Sequence, residues 1–412
     1  MKQPLTIQIF KILKIVTITI ISSIIIFLLV FGINIEYEDG RHSTWSGLRV
    51  LFEDRDFELC YKKKHIVKLN GFDGPYIIDS TMYYVDSLNI LRTTRYKKND
   101  SILVRVNNKD LDKLYFSKKT IIQKNADSYV MPQKLIAISD IEGNFDAFSS
   151  FLINNKVVDT NYNWIFGNGH LVLTGDFVDR GTNVTAVLWL IYKLEEQSEK
   201  QGGKVHYILG NHEIINFQGR FKYNNEKYIK VASLISKTED WKKATQYMFS
   251  EKTELGKWLR SKNGIEKIGN YIFVHAGLSP NILKYNLSIS DINGLSQQNW
   301  FKDLYNKPEN DEKANFLIGR EGIFWYRGLA IDYKHYNKIS ETELNKVLNF
   351  YQAKKIVFGH TISDNIKKEY NGKLINIDVA HGQEKNSDKT KGLLIESGNE
   401  YIIDGKGKKS KL

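Results

Sequence analysis

Asp140 and Glu142, then Asp176, Asp179 and Arg180, then Asn211 and His212, then His275, and then His360 form five short groups of polar side chains, each closing an apolar run. Oxygen and nitrogen donors without a thiolate suit hard or borderline divalent ions, and several carboxylates are needed to offset two dications held close together. Such a pair can clamp a phosphate and activate a water. An imidazole that titrates near neutrality can deliver a proton, and a guanidinium presents a planar fork to phosphate oxygens. Each residue alone has a blander reading, His275 as a satisfied half-buried histidine or Arg180 as an ion-pair partner of Asp179. Their common position at the ends of apolar runs outweighs it.

Those runs, "KLIAISD", "HLVLTGD", "KVHYILGNH", "NYIFVHAG" and "KKIVFGH", read as buried strands. Helical patterns such as Thr182 to Gln201 and Ser340 to Ala353 lie between several of them, an alternation that predicts a layered α/β domain with functional residues around one crevice at the strands' carboxyl ends. This domain is expected over residues 131–403, with a helical insertion over about 217–262 whose clearest amphipathic part is "ETELGKWLRSK". Before it, residues 37–130 hold short β-like runs, "GPYIID", "TMYYVDSLNILRTTRY" and "SILVRVNN", separated by turn residues, which predict a small β-rich module without a metal constellation.

Residues 15–33 carry no charge, matching the roughly 20 residues needed to cross a bilayer. Lys2, Lys11 and Lys14 precede this stretch, and Glu36, Glu38 and Asp39 follow it. The basic flank predicts a single-pass anchor within residues 1–36, with a cytoplasmic stub and the catalytic domain in the periplasm or outside the cell. A cleaved signal peptide is the rival reading, disfavoured by the length of the apolar stretch. The net charge of +12 comes from scattered Lys and Arg, an ordinary basic surface and not a nucleic-acid footprint. Residues 404–412 form a Gly- and Lys-rich basic tail expected to fray. One cysteine, Cys60, excludes an internal disulfide framework and reads as a buried thiol.

The ordered motifs "SDIEGN", "GDFVDRG", "GNHE", "VHAGLSP" and "FGHT" resemble those of calcineurin-like metallophosphoesterases over residues 134–400. "GDFVDRG" followed by "GNHE" is similar to the serine/threonine protein phosphatase branch, and "ELGKWLRSK", "VHAGLSP" and "WYRG" to the bacterial Shewanella-like phosphatases. Five motifs in order, each after a strand, pass the context test that one motif fails. The resemblance implies a metallophosphoesterase β-sandwich flanked by helices and two divalent ions, Mn foremost, with Fe, Zn or Mg as alternatives. Asp140 would ligate the first, Asp176 would bridge both, and Asn211, His275 and His360 would complete the second. It makes His212 the general acid, oriented by Asp179, and Arg180 and Arg327 the phosphate clamp, with Asn211 beside the substrate. The chain departs from the pattern where the usual Asp-x-His reads Asp140-Ile141-Glu142. Glu142 is expected to ligate the first ion because two-residue spacing puts both side chains on one side of a strand. Glu213 reads as a helix-start carboxylate without chemistry, and His381, after a further strand, is an accessory candidate. The function implied is hydrolysis of phosphate monoesters, on phosphoprotein in particular, by metal-activated water. A nucleotide or dinucleotide polyphosphate hydrolase, and a degenerate metal-binding membrane module, are the alternatives.

Overall fold

The computed structural model describes residues 5–37, 41–52, 57, 59–64, 67–97, 100–119 and 121–412; Lys2, Glu38 and Asp39 lie outside them. The chain divides into two compact units, residues 1–67 with 239–241, and the remainder.

In the first unit, helix α1 (Leu5–Phe31) is apolar and exposed from residue 7 almost throughout, and it is long enough to cross a membrane. It begins ten residues before the expected span and includes Lys11 and Lys14. It ends two residues early because Gly32 turns at φ +78° while its N–H donates to Leu28 O at 3.0 Å, the left-handed stop that glycine adopts without strain. Strands β1 (Ile33–Glu36), β2 (Arg41–Trp45) and β3 (Leu59–Lys64) follow as an antiparallel meander. Cys60 on β3 is half-exposed, contrary to the buried thiol expected, with Sγ 3.9 Å from His42 O.

The second unit begins at Lys68, so the β-rich stretch does not form one module over 37–130. Strands β4 (Asp73–Ile78), β5 (Thr81–Val85), β6 (Leu91–Arg95), β7 (Ile102–Arg105) and β8 (Lys113–Phe116) belong to the catalytic body. Their apolar positions explain why: Ile77, Val104, Leu114 and Phe116 enter the main core, Phe116 stacks on Trp189 at 4.1 Å, and the Trp189 indole donates to Pro75 O.

Two six-stranded sheets face each other. The first joins β10 (Lys134–Ile138), β11 (His170–Leu173) and β12 (Lys204–Tyr207) in parallel, then continues antiparallel through β18 (Lys391–Glu396), β19 (Asn399–Asp404) and β20 (Lys409–Lys411). The second runs from β9 (Ser128–Tyr129) through β13 (Ile265–Ile268), β14 (Tyr271–Val274), β15 (Lys355–Phe358) and β17 (Leu374–Asn376) to β16 (Lys367–Glu369). Alternation along β10 sends Leu135 and Ala137 into one apolar cluster with Leu393 of the same sheet and with Phe273 and Val357 of the facing sheet. It sends Ile136 and Ile138 into the cluster shared with helices α2 (Phe145–Asn154) and α3 (Val184–Glu199). The β10-α2-β11-α3-β12 crossovers deliver successive strand ends to one edge, as parallel βαβ units must. Past β12 come α4 (Asn211–Phe217), α5 (Glu226–Ser236), α6 (Trp241–Met248) and α7 (Glu254–Arg260), so helices fill the interval read as an insertion.

The C-terminal tail does not fray. The Asp404 carboxylate accepts from the N–H groups of Lys406 and Lys408, both at 2.9 Å, and the turn returns the chain as β20 beside β19. Leu412 N–H closes the pairing on Glu400 O at 3.1 Å.

Candidate active site

Just past the strand ends the backbone leaves β geometry. Asp140, Glu142, Asp176, Asp179, Arg180 and His360 all have φ between +49° and +71°, a left-handed conformation that costs energy for residues with a Cβ and that clusters at functional sites. The loops support one another: Asp140 N–H donates to Gly175 O and Glu142 N–H to Asp176 O, at 3.0 and 2.9 Å. Gly175, at φ +90°, approaches so closely that a Cβ there would lie 2.5 Å from Gly210 N. The buried Glu213 carboxylate holds the second and third loops together, accepting from Asp176 N at 3.0 Å, Phe177 N at 2.9 Å, Gly210 N at 2.7 Å and the Tyr207 hydroxyl at 2.9 Å. The Gly210 bond is the helix-start role its position suggested; the others make it a clamp between strand ends.

Ligand atoms of Asp176, His275 and His360, all three buried, converge within 4.8 Å of one another. His275 Nδ1 lies 2.8 Å from Thr174 O; a carbonyl only accepts, so Nδ1 carries the proton. Its Nε2 then faces Asn211 Oδ1 at 2.9 Å, Asp176 Oδ2 at 3.3 Å and His360 Nδ1 at 3.2 Å. His360 Nε2 is buried without a hydrogen-bond partner. Lone pairs converging in a buried site need a cation among them. A proton partly serves: burial disfavours it, yet Asp176 outweighs burial and lifts His275 to about 9. Asp140 accepts from Ser139 Oγ and from His360 N–H, the latter at 3.2 Å, and burial, helped by Asp176, raises it to about 6. Burial and then Arg327 push His360 down.

His212 lies in the first turn of α4, directly after Asn211. Its Nδ1–H donates to Asp179 Oδ2 at 2.6 Å, and Asp179 Oδ1 accepts from Asn216 at 2.8 Å and from Asn224. Burial opposes the imidazolium, but the Asp176 and Asp179 carboxylates prevail and raise the His212 pKa. Arg180 Nη2 stands 3.3 Å from His212 Nε2, and Arg180 also pairs with the Glu142 carboxylate. Arg327 donates to His360 O at 2.6 Å and to Thr361 Oγ1 at 3.3 Å.

Asp140, Glu142, Asp176, Arg180, Asn211, His212, Arg327 and His360 line one cavity of about 590 Å³; Asp179 and His275 stand behind them, buried. All the residues singled out from the sequence therefore meet, but Glu142 is oriented otherwise than expected. Strand β10 has ended at Ile138 and both Asp140 and Glu142 are left-handed, so strand alternation does not govern them, and Glu142 turns to Arg180.

The cavity also contains Asp378 and His381, past β17. Both follow one more strand end, that of β17, a signal the sequence carries for Asp378 as well as for His381. Burial and then Asp140 raise Asp378 well above the carboxylate range, while burial lowers His381 to about 4. Tyr223 and Asn224 had no sequence signal. The Tyr223 ring lies 5.0 Å from that of His212 and its carbonyl accepts from Arg180 N–H at 2.9 Å. Asn216, one helical turn past His212, could have been found from that spacing.

A calcineurin-like phosphoesterase model matches residues 133–364. Shewanella-like protein phosphatase 1 of Plasmodium berghei is 32% identical over 256 residues, covering 62% of this chain and 67% of that protein. Shewanella-like protein phosphatase 2 of Arabidopsis thaliana is 25% identical over 286 residues, 60% of this chain and 71% of its own length. The crystal structure of a cold-active protein-tyrosine phosphatase from a psychrophilic Shewanella species is similar with a TM-score of 0.71 and 30% identity, covering 83% of this chain and 100% of that one. The chain thus belongs to the calcineurin-like phosphoesterase family and is a metallophosphoesterase, a hydrolase of phosphoesters whose family works with divalent metal ions.

Proposed function

We propose that this metallophosphoesterase removes phosphate from phosphoproteins at a two-metal site, held outside the cytoplasm by its N-terminal helix. The observation that carries the reading is the convergence of Asp176, His275 and His360 donor atoms within 4.8 Å, beside an imidazole and two guanidiniums in one cavity. The hard or borderline donor set, with His360 Nδ1 3.2 Å from His275 Nε2, fits divalent ions such as Mn, Fe, Zn or Mg. Asp176, Asn211, His275 and His360 would hold one ion, Asp140 and Asp176 the other, with Glu142 as a further candidate there. Bound ions supply Lewis-acid charge that activates water and offsets charge on the phosphate.

The chain's own residues do the rest. Arg180 and Arg327 hold phosphate oxygens, and substrate takes the place of Glu142 on Arg180. As the ester P–O bond breaks, His212 delivers the Nε2 proton to the leaving oxygen, while Asp179 fixes the ring through Nδ1–H and stays ionised. Likeness to proteins named protein phosphatases supports a phosphoprotein substrate. An apolar helix exposed along its length, with Lys11 and Lys14 in its first half, supports a retained anchor whose N-terminus stays in the cytoplasm.

The test is turnover by purified full-length protein in detergent, with each candidate metal, of phosphopeptides, nucleotides, a dinucleotide polyphosphate and an aryl phosphate. Preference for phosphopeptides is expected; preference for nucleotides selects the polyphosphate hydrolase, and no metal-dependent turnover selects the non-catalytic module. Protease digestion of intact and outer-membrane-permeabilised cells tests the topology, and a domain shielded until the inner membrane is lysed contradicts it.

A further inference from the structure

On the Asp140 side of the cavity the donors named so far are carboxylates: Asp140, Asp176, and Asp378 nearby. Glu142, the one residue the motif offered in place of an imidazole, has its carboxylate on Arg180. A different side chain can supply nitrogen there. His381 lines the same cavity, and its Nε2 lies 2.8 Å from the carbonyl of Ser139, the residue directly before Asp140. Because that carbonyl only accepts, Nε2 carries the hydrogen, and the Nδ1 of a neutral ring is a lone pair. That Nδ1 is buried and has no hydrogen-bond partner.

His275 also places one ring N–H on a main-chain carbonyl, and its other nitrogen faces the donor cluster; in His381 the corresponding free nitrogen is the partnerless Nδ1. Metal-binding imidazoles typically have their tautomer and ring orientation fixed in this way. The loop is also held in place, since the Asn144 amide at the head of α2 donates to Gly382 O at 2.7 Å, tying the residue after His381 to the loop that carries Asp140 and Glu142.

We propose that His381 is a ligand of the divalent ion on the Asp140 side, supplying through Nδ1 the imidazole nitrogen that this side otherwise lacks; the proposal rests on the two-metal reading above. It returns a nitrogen donor to a site that Glu142 alone would leave all-oxygen, so the preference there moves toward Fe or Zn and away from Mg.

Chelated full-length protein in detergent, titrated with Co²⁺ by calorimetry and absorption spectroscopy, tests it. The wild type should take up two ions. His381→Ala should bind one normally and the other more than about 100-fold more weakly, beyond the loss typical of an outer-shell partner, and Asp140→Ala should do the same. Its chelated form should melt with the wild type while losing part of the metal-induced rise in Tm; should Ala lower the chelated melting temperature, His381→Leu replaces it in the same titration. Adding Glu142→His to His381→Ala should restore the second ion. Two ions bound by His381→Ala with wild-type affinity and cobalt spectrum overturn the assignment alone. A single ion in the wild type overturns the two-metal reading and the assignment with it.

Discussion

Glu213→Gln removes one charge and no volume, yet it should loosen the site more than many changes inside the cavity. Each Glu213 oxygen accepts two hydrogen bonds, Oε1 from Phe177 N–H and the Tyr207 hydroxyl, Oε2 from Asp176 N–H and Gly210 N–H. An amide keeps one oxygen; with that oxygen on Asp176 and Gly210, its NH₂ can donate to a rotated Tyr207 hydroxyl but leaves the Phe177 N–H without an acceptor, in a site with no exposure to water. One buried donor left unpaired predicts a loss of about 1–3 kcal/mol. The same bonds position Asp176, so metal affinity should fall about 10- to 100-fold although Glu213 touches no ion, the effect of losing an outer-shell partner. Thermal and urea unfolding of the chelated full-length protein, with metal titration of the same samples, reads both. A stability loss below about 0.5 kcal/mol, the range of an ordinary surface substitution, together with wild-type metal affinity, would refute the clamp.

Two further outcomes follow from the geometry. His212→Ala should cost about 10² to 10⁴ in turnover of alkyl phosphates, less for aryl phosphates whose leaving groups need less protonation, with metal content retained; equal losses on both substrates would remove the acid role. Glu195 supplies an acid limb to stability. Burial raises its pKa, but Lys262 and Lys119 outweigh burial and bring it to about 2, below the ordinary glutamate value near 4.3. A depressed carboxylate stabilises the fold above its unfolded pKa and loses that contribution as pH falls through the folded one, so about 3 kcal/mol should disappear between roughly pH 4.5 and 2. Burial lowers Lys262 as well, to about 8, which disfavours its charge, but Lys262 stays charged throughout the acid range, so Glu195 governs there. Acid unfolding of Glu195→Gln should lack this limb, and an unchanged acid profile would contradict the ion pairs.

The strand ends were legible because parallel βαβ units have one answer: apolar runs that alternate with amphipathic helices must bring the following polar residues to one edge, and they bring Asp140, Asp176, Asn211, His275 and His360 together. What escaped depended on side chains acting across the sequence or on turns with no periodic signature. Glu142 was assigned by strand alternation that stops at Ile138, and the left-handed backbone beyond it sends the carboxylate to Arg180. The tail was read from its glycines, while the Asp404 side chain organises those glycines into a turn. Residues 68–130 showed their β character but not their allegiance, which the packing of Phe116 on Trp189 decides. Tyr223 and Asn224 reach His212 and Asp179 from a loop whose sequence carries no motif.

The proposed function, phosphoprotein dephosphorylation with two ions held around Asp176, is tested most directly by adding Mn²⁺ stepwise to chelated full-length protein while following phosphopeptide hydrolysis and bound metal together. Turnover should be absent without metal, remain low at one equivalent and saturate as the second ion binds, with Asp176→Asn losing both ions and all turnover. Full phosphopeptide turnover in chelator, or saturation with a single ion bound, would contradict it.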